Sequence, residues 1–212
     1  MRDPELLSAV DLETPLAERR EALEGIVVHA RLGSMLAKAN RVQRLACEIG
    51  LLLQLPEATL MAAASGAYLA KCDLASETVR AHPELRGEVG RACALAQGVS
   101  PEVADVISTH HAPRSAEDGV SPTDAGALVA IADRLDALVG FFGIGLDPKG
   151  DADPFELGRA RDDVRRTMER RGFDLRLAEA LRAAYDGFAG DLDVPREETV
   201  RRLGAFFDER AG

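Results

Sequence analysis

Proline residues divide this chain into short apolar stretches, and that division constrains the fold more than any other feature. Between the prolines, as in residues 32–53, apolar side chains recur at steps of three and four, the spacing of one helix face. Proline is favoured at the first helical position, because its missing N–H is not needed there. Thr14-Pro15 and Ser100-Pro101 therefore predict helix starts. Leu55-Pro56 and His82-Pro83 predict breaks.

The same reasoning along the whole chain predicts an all-α protein with no sheet. Aromatic residues make up only 4% of the sequence and tryptophan is absent, a composition that disfavours strands. The third predicted helix is nearly apolar from residue 60 to 70, which places it in the core. The predicted helices span residues 14–24, 32–53, 57–80, 83–97, 100–111, 122–139, 153–171, 173–189 and 195–210.

Charge and cysteine content exclude several classes of protein. Acids outnumber bases by 36 to 26, giving a net charge of −10, so RNA binding requires a local basic face and DNA binding is not expected. No apolar run reaches the ~18 residues of a membrane span, and the first residues lack the basic start of a signal peptide. Cys47, Cys72 and Cys93 are odd in number and lack paired-ligand spacing, which predicts reduced thiols and a cytoplasmic protein.

Polar residues interrupt the apolar helices at three places. The adjacent pair His110-His111 has imidazoles that suit Zn, Fe or Mn, although two surface histidines capping helix carbonyls explain the pair as well. Asp73 and Asp133 stand on otherwise apolar helices, where an unpaired charge is costly. A salt bridge from another helix is the simpler explanation for each. Because each needs a partner, we expect Asp73, His110 or His111, and Asp133 to point into one cleft.

The order Asp73, His110-His111, Asp133 resembles the HD superfamily, helical bundles in which His and Asp residues hold metals that activate water against phosphate esters. Two positions of that pattern are altered. Cys72 stands where the dyad histidine is expected, and residues 38–41 lack the first histidine and offer Lys38, which cannot bind a cation at neutral pH. The resemblance implies an HD-type bundle with no cofactor. The alternative is weak binding of Zn, Fe or Mn by Asp73, His110, His111 and Asp133, with Cys72 as a further ligand.

Two further motifs narrow the resemblance. Gly140-Phe-Phe-Gly-Ile-Gly145 and Asp153-Pro-Phe-Glu-Leu157 resemble the HD-like region of the bacterial glycyl-tRNA synthetase β subunit, and the similarity extends from about residue 3 to residue 208. In that enzyme the α subunit makes glycyl-adenylate, and the β subunit binds tRNA and completes the holoenzyme. The β subunit is several times longer, so the chain is either an excised domain or a divergent free-standing relative.

The resemblance implies a tRNA-contacting and scaffolding module of an aminoacyl-tRNA ligase, without a complete active site of its own. Its implied partners are tRNA and the subunits or domains of the synthetase, and it implies nothing about oligomeric state. Two alternatives stay open. One is a metal-dependent HD phosphohydrolase with Cys72-Asp73 in place of His-Asp. The other is a protein-interaction module.

Arginine becomes dense after residue 150. This shift predicts a boundary near residue 150, with a helical core over residues 1–150, which the resemblance implies is HD-like, and a C-terminal helical extension over 151–212, packed together as one unit. Arg159, Arg166 and Arg170 stand at steps of seven and four and so share one helix face. That face is the candidate RNA contact. A solvated face neutralised by neighbouring acids is the alternative.

Overall fold

The computed structural model describes residues 9–113, 115, 118–148 and 152–209, so the predicted boundary at residue 150 lies outside the described residues. The helices are α1 (Ala9–Glu13), α2 (Met35–Leu52), α3 (Glu57–Leu69), α4 (Glu77–Ala81), α5 (Glu88–Ala96), α6 (Pro101–Thr109), α7 (Asp124–Gly143), α8 (Leu157–Arg171), α9 (Leu177–Asp186) and α10 (Arg196–Asp208). The 3₁₀ helices span Leu16–Gly25, Cys72–Ala75 and Pro83–Leu85.

Helices dominate the described residues, which confirms the all-α class. The expected absence of any sheet is corrected by one small hairpin, in which β1 (Val27–His29) pairs antiparallel with β2 (Gly33–Ser34). The β-branched residues of β1 suit an extended backbone, and Gly33 adopts a positive φ of 83° where the chain reverses. The hairpin leads directly into α2, because Ser34 caps that helix by accepting a hydrogen bond from the Ala37 N–H.

Two predicted helices are shorter than the apolar pattern suggested. The helix predicted over 57–80 ends at Leu69 and is followed by a 3₁₀ turn and α4, whose N-terminus is capped by Ser76. The helix predicted over 83–97 is divided at Gly87, which adopts a positive φ of 82°. Local caps and a left-handed residue interrupt these helices, and neither changes the period of the apolar residues.

Helix α7 is the centre of the bundle. It contacts α2, α3, α6, α8, α9 and α10, and none of its residues is fully exposed. It extends to Gly143, four residues beyond the predicted end, because Phe141 and Phe142 are buried in the main core. A second, smaller core lies beneath the N-terminal 3₁₀ helix and includes Leu16, Leu23 and Cys72. Any charged residue on α7 must therefore find its partner inside the protein.

Among the described residues, no helix combines the length and the apolar character needed to cross a membrane. Helices α8, α9 and α10, which belong to the predicted C-terminal extension, all contact α7. The division into core and extension stays a prediction.

Replacing Gly66 by alanine tests the close approach of α3 to α6. A Cβ atom at Gly66 would lie 2.4 Å from Cγ1 and 2.5 Å from Cβ of Val106, and a β-branched side chain cannot rotate away from both contacts. We expect Gly66→Ala to lower the free energy of unfolding by about 1–3 kcal/mol, measured by urea denaturation followed by circular dichroism.

Gly204→Ala is the matched control, since it adds the same methyl group to a helix interior with no atom within 4 Å of the new Cβ. We expect it to raise the free energy of unfolding by about 0.5–1 kcal/mol. Equal effects of the two substitutions would contradict the close contact between α3 and α6.

Candidate functional site

The polar centre of the bundle is built on α7. Asp133 and Asp136 are three residues apart and so share one face of that helix. Lys38 of α2 places its Nζ 3.1 Å from Asp133 Oδ1 and 3.1 Å from Asp136 Oδ2. Lys71, directly before the 3₁₀ turn Cys72–Ala75, donates from Nζ to Asp133 Oδ2 at 2.9 Å. Two ammonium groups, one from α2 and one from the turn after α3, therefore hold one carboxylate.

Charge pairing in this cluster outweighs the cost of burial for Asp133. Burial raises the pKa of Asp133, but the ammonium groups of Lys38 and Lys71 hold it well below its usual value. Burial also lowers the pKa of Lys38, and the carboxylates of Asp133 and Asp136 reverse that effect, so its pKa is raised. For Lys71 burial prevails over the attraction of Asp133, and Lys38 repels the ammonium group, so its pKa is lowered.

These lysines decide whether a divalent metal fits. Lys38 stands in the region where the HD pattern expects a histidine, and its ammonium group reaches the Asp133 carboxylate that a metal would need. Among the described residues, no three His, Cys, Asp or Glu side chains are arranged to hold a metal ion. The side chains at this centre do not fit a divalent cation. Weak metal binding by Asp73, His110, His111 and Asp133 stays a prediction that metal analysis of the purified protein tests.

His110 and His111 directly follow α6 and their rings are in contact, with centroids 3.8 Å apart and an interplanar angle of 41°. His110 is fully buried, and its Nδ1 lies 2.7 Å from the carbonyl of Ile107, so that nitrogen carries the proton and donates. Burial, with a smaller effect of Lys71, lowers the pKa of His110 to about 3. Burial and the neighbouring His110 lower the pKa of His111 as well. Both imidazoles are therefore neutral at physiological pH, and Nε2 of each has no hydrogen-bond partner within the described protein.

Arg134 fixes the segment that carries the two histidines. Its guanidinium group donates to the carbonyl oxygens of His110, His111 and Pro113 at 3.1–3.2 Å, and its Nε lies 3.1 Å from Asp163 Oδ2. One side chain thus ties the loop after α6 to α7 and α8. Its neighbour Asp133 faces the lysines, so adjacent residues of α7 organise two different parts of the site.

Asp73 lies apart from this cluster. Its Oδ2 accepts a hydrogen bond from the backbone N–H of Gly87, and Gly90 packs so closely that an added Cβ would lie 3.1 Å from the same oxygen. Burial raises the pKa of Asp73, although the Gly87 N–H and Lys71 oppose the increase. Asp73 therefore stabilises the start of α5. Its neighbour Cys72 is buried, and burial raises the pKa of the thiol to about 11, which disfavours the thiolate that a metal requires.

A cleft with a volume of about 670 Å³ lies between the loop at His111, α7 and the start of α8. It is called the candidate cleft below. Of the residues predicted to share one cleft, His111 and Asp133 line it. Asp73 and His110 are not among the described residues that line it, because both point into the packed interior.

The three arginines predicted to contact RNA lie along one side of α8. Arg159 lines the candidate cleft, and Arg166 and Arg170 line a second groove beside Ser121 and Pro122. Arg159 lies 3.6 Å from Glu156, and Arg166 is paired with Asp163 at 3.0 Å. Arg170 is exposed. The alternative was that neighbouring acids neutralise these arginines. It applies most strongly to Arg166, which has the shorter ion pair.

Sequence reasoning missed the partners of Asp133. The sequence marks Lys38 only as a residue that cannot bind a metal, and it gives no indication that Lys71 reaches Asp133. One feature of the sequence could have indicated these partners. Two carboxylates on a buried helix require cations nearby, and both lysines stand on or beside other helices of the core. No sequence pattern indicated which lysine reaches which oxygen.

Comparison with known proteins decides the family. A family model described as glycyl-tRNA synthetase beta subunit matches residues 1–212. The chain belongs to this family. A glycine–tRNA ligase beta subunit of Acinetobacter baylyi is 35% identical over 210 residues, which are 99% of this chain and 30% of that relative. The corresponding subunit of Desulforamulus reducens is 34% identical over 202 residues, 94% of this chain and 29% of the relative.

A third beta subunit, from Phenylobacterium zucineum, is 43% identical over 150 residues, 71% of this chain and 22% of the relative. The beta subunit family predicted from the Gly-Phe-Phe-Gly-Ile-Gly and Asp-Pro-Phe motifs is thereby confirmed. The relation to the HD superfamily stays a prediction. The chain spans less than a third of the length of these beta subunits.

Removal of the Asp133 carboxylate tests the lysine cluster. Asp133→Ala leaves Lys71 buried beside Lys38 without its carboxylate, and we expect a loss of about 3–5 kcal/mol in the free energy of unfolding. Asp105→Ala removes a half-exposed carboxylate paired with Arg91 and should cost less than about 1 kcal/mol. The double variant Asp133→Ala/Lys71→Met should recover part of the loss in a double-mutant cycle, because it removes both charges. Additive losses would contradict the pairing.

The buried histidines predict a dependence of stability on acid. The pKa of His110 is about 3 in the folded protein and about 6.5 in an unfolded chain, so the unfolded state binds more protons between these values. The free energy of unfolding should therefore fall as the pH drops below about 6.5, by up to about 1.4 kcal/mol per pH unit for His110, whose contribution levels off near pH 3. His111, whose pKa is also lowered, should add to the slope in the same direction. Urea denaturation from pH 6.5 to pH 4 measures this slope.

His110→Gln/His111→Gln should flatten the slope, and the exposed His82→Gln should leave it unchanged. An unchanged slope in the double variant would show that other groups cause the acid sensitivity. The pKa of Asp133 is held well below its usual value in the folded protein, so its own contribution to stability is lost only below about pH 5, as the unfolded carboxylate becomes protonated. The slopes are therefore compared between pH 6.5 and about pH 5.

Proposed function

We propose that this chain is a helical tRNA-contacting and scaffolding module that supports glycyl-tRNA formation in the cytoplasm and has no complete active site of its own. The family match over residues 1–212 is the observation that carries the proposal. The lysine-held Asp133 supports the non-catalytic part, since it removes the evident means of activating water. The free thiols of Cys47, Cys72 and Cys93 support a reducing compartment.

The basic side of α8 is the part of the surface that best suits an RNA backbone. Arg159, Arg166 and Arg170 follow one side of the helix across two adjoining grooves. The other arginine-bearing side of α8 is committed to packing, because Arg161 stacks on Phe206 at 4.7 Å and donates to its carbonyl oxygen. The overall charge of −10 opposes RNA at long range, so a contact depends on this local concentration of arginine.

A scaffolding contribution is supported by exposed apolar side chains. Leu51 near the end of α2 and Met61 of α3 are 65% and 64% exposed, and Val27 of β1 is 68% exposed. Beta subunits are several times longer than this chain, and we propose that neighbouring parts of the synthetase cover such side chains.

Salt-dependent binding of an in-vitro-transcribed glycine-accepting tRNA tests the RNA contact. Each arginine–phosphate contact releases counterions, so affinity should fall with salt. Replacing Arg159, Arg166 and Arg170 together with glutamine should weaken binding and reduce the slope of log affinity against log salt by about 3. Fluorescence anisotropy at several salt concentrations gives both quantities.

The matched control removes the same charge elsewhere. Arg182, Arg196 and Arg201 are exposed arginines of α9 and α10 that pair with neighbouring acids, and their triple glutamine variant should bind tRNA as the unmodified chain does. Equal losses in both triple variants would reduce the effect to net charge and contradict the proposed face. Metal-dependent nucleotide hydrolysis abolished by Asp133→Ala would replace the proposal with a phosphohydrolase. If tRNA affinity is unchanged in both triple variants, a protein-interaction module is favoured.

A further inference from the structure

The candidate cleft contains an aromatic ring that is packed on one side only. Phe155 stacks on Phe141 with ring centroids 4.1 Å apart and an interplanar angle of 20°, yet 38% of Phe155 is exposed. The edge of His29 meets the same ring at 6.3 Å and 88°. Phe155 also lines the cleft, so its unpacked side faces that space. A ring supported from behind and open in front is a stacking platform for another flat ring.

Two sequence motifs meet to build this platform. Phe141 belongs to the Gly-Phe-Phe-Gly-Ile-Gly stretch at the end of α7, and Phe155 belongs to the Asp-Pro-Phe motif before α8. Asp153 of the second motif caps α8, because its carboxylate accepts from the N–H groups of Leu157 and Gly158 at 2.8 and 2.7 Å. The cap fixes the backbone that carries Phe155, so the ring is held in place before any ligand arrives.

Positive groups stand around the same cleft. Arg86 and Arg159 line it, and the 3.6 Å pair between Arg159 and Glu156 is exposed on both sides. An exposed pair of this kind contributes little, so a phosphate can compete for the guanidinium group through stronger charge-assisted hydrogen bonds. The acids deeper in the cleft are already neutralised, Asp133 by two lysines and Asp163 by Arg134 and Arg166.

The cleft wall also includes a polar atom that lacks a partner. Nε2 of His111 is buried and makes no hydrogen bond within the described protein. Because that atom is buried, a molecule in the cleft does not contact it while the imidazole keeps this position, and the contacts offered to a ligand are those of Phe155, Arg86 and Arg159. The cleft volume of about 670 Å³ lies within the range of small-molecule sites, roughly 300–1,000 Å³, and accommodates one nucleotide.

We propose that the candidate cleft binds one nucleotide whose base is unpaired, with the base stacked on Phe155 and the phosphate held by Arg86 and Arg159. The proposal deepens and rests on the RNA-contacting function above, since it adds a single-stranded subsite beside the basic side of α8. A base inside a duplex cannot reach the platform, because both of its faces are covered by neighbouring bases. The cleft therefore distinguishes unpaired from paired nucleotides without reading their sequence.

Anisotropy with a fluorescein-labelled, unstructured oligoadenylate of six nucleotides tests the stacking platform, and a short RNA duplex serves as the comparison ligand. Phe155→Leu keeps apolar packing on Phe141 and removes the aromatic face, so the oligonucleotide should bind about tenfold more weakly. Phe155→Tyr keeps the ring and should bind normally. Leu51→Ala removes an exposed apolar side chain outside the cleft and should also bind normally. Circular dichroism of each variant checks that the fold is retained.

The proposal is overturned if the oligonucleotide does not bind or if the Phe155→Leu variant binds it normally. It is also overturned if Phe155→Leu weakens binding of the duplex as much as binding of the oligonucleotide. The double variant Arg86→Gln/Arg159→Gln should bind the oligonucleotide more weakly, and the slope of log affinity against log salt should fall by about 2. Adenosine monophosphate separates the two sources of the ligand. Displacement of the oligonucleotide by millimolar adenosine monophosphate assigns the cleft to a free nucleotide as well, and failure to displace assigns it to a nucleotide within RNA.

The same experiments distinguish failure of the subsite from failure of the proposed function. If tRNA binding depends on the α8 arginines and is unchanged in Phe155→Leu, the proposed function is supported and the nucleotide subsite is wrong. Oligonucleotide binding that depends on Phe155, without any tRNA binding, retains the subsite and rejects the function.

Discussion

The Asp133 carboxylate, held between the ammonium groups of Lys38 and Lys71, is the contact on which the rest of the site depends. It lies on a helix with no fully exposed residue, where an unpaired charge would cost several kcal/mol. Pairing with two cations from separate elements fixes α2 and the turn after α3 against α7. The ammonium groups supply positive charge where the resemblance to HD proteins would place a metal. The charge balance of the centre is thus maintained by the protein itself.

Adjacent residues of α7 bind two different parts of the site. Asp133 faces the lysines, and Arg134 binds the carbonyl oxygens of the loop that carries His110 and His111. Asp163 of α8 completes the charge of Arg134, which brings α8 against the same loop. The wall of the candidate cleft is therefore a consequence of buried charge pairing. Phe155 and Arg159 reach the cleft because α8 is held there.

Much of the helical architecture is readable from the sequence, and particular interruptions are not. Proline positions and apolar spacing predict the starts of α3, α6 and α10 to within one residue. They miss the division at Gly87, because the left-handed backbone of one glycine leaves no trace in apolar periodicity. For the site, the sequence predicted one cleft containing Asp133 and either His110 or His111, and the structure places Asp133 and His111 there. It also grouped Asp73 with them, although the backbone N–H of Gly87 satisfies that carboxylate instead.

The sequence by itself determined the helical class, the family and the need for partners at each buried charge. These follow from local spacing, from motifs, and from the cost of burying an ion, all of which are properties of residue identity. Only the tertiary structure decided that Lys38 and Lys71 meet Asp133, that Asp73 turns away, and that Phe155 stacks on Phe141. Those contacts join residues 14 to 95 positions apart, and their geometry depends on how whole helices pack. Helix packing is set by the summed shape of many side chains, so no short pattern in the sequence records it.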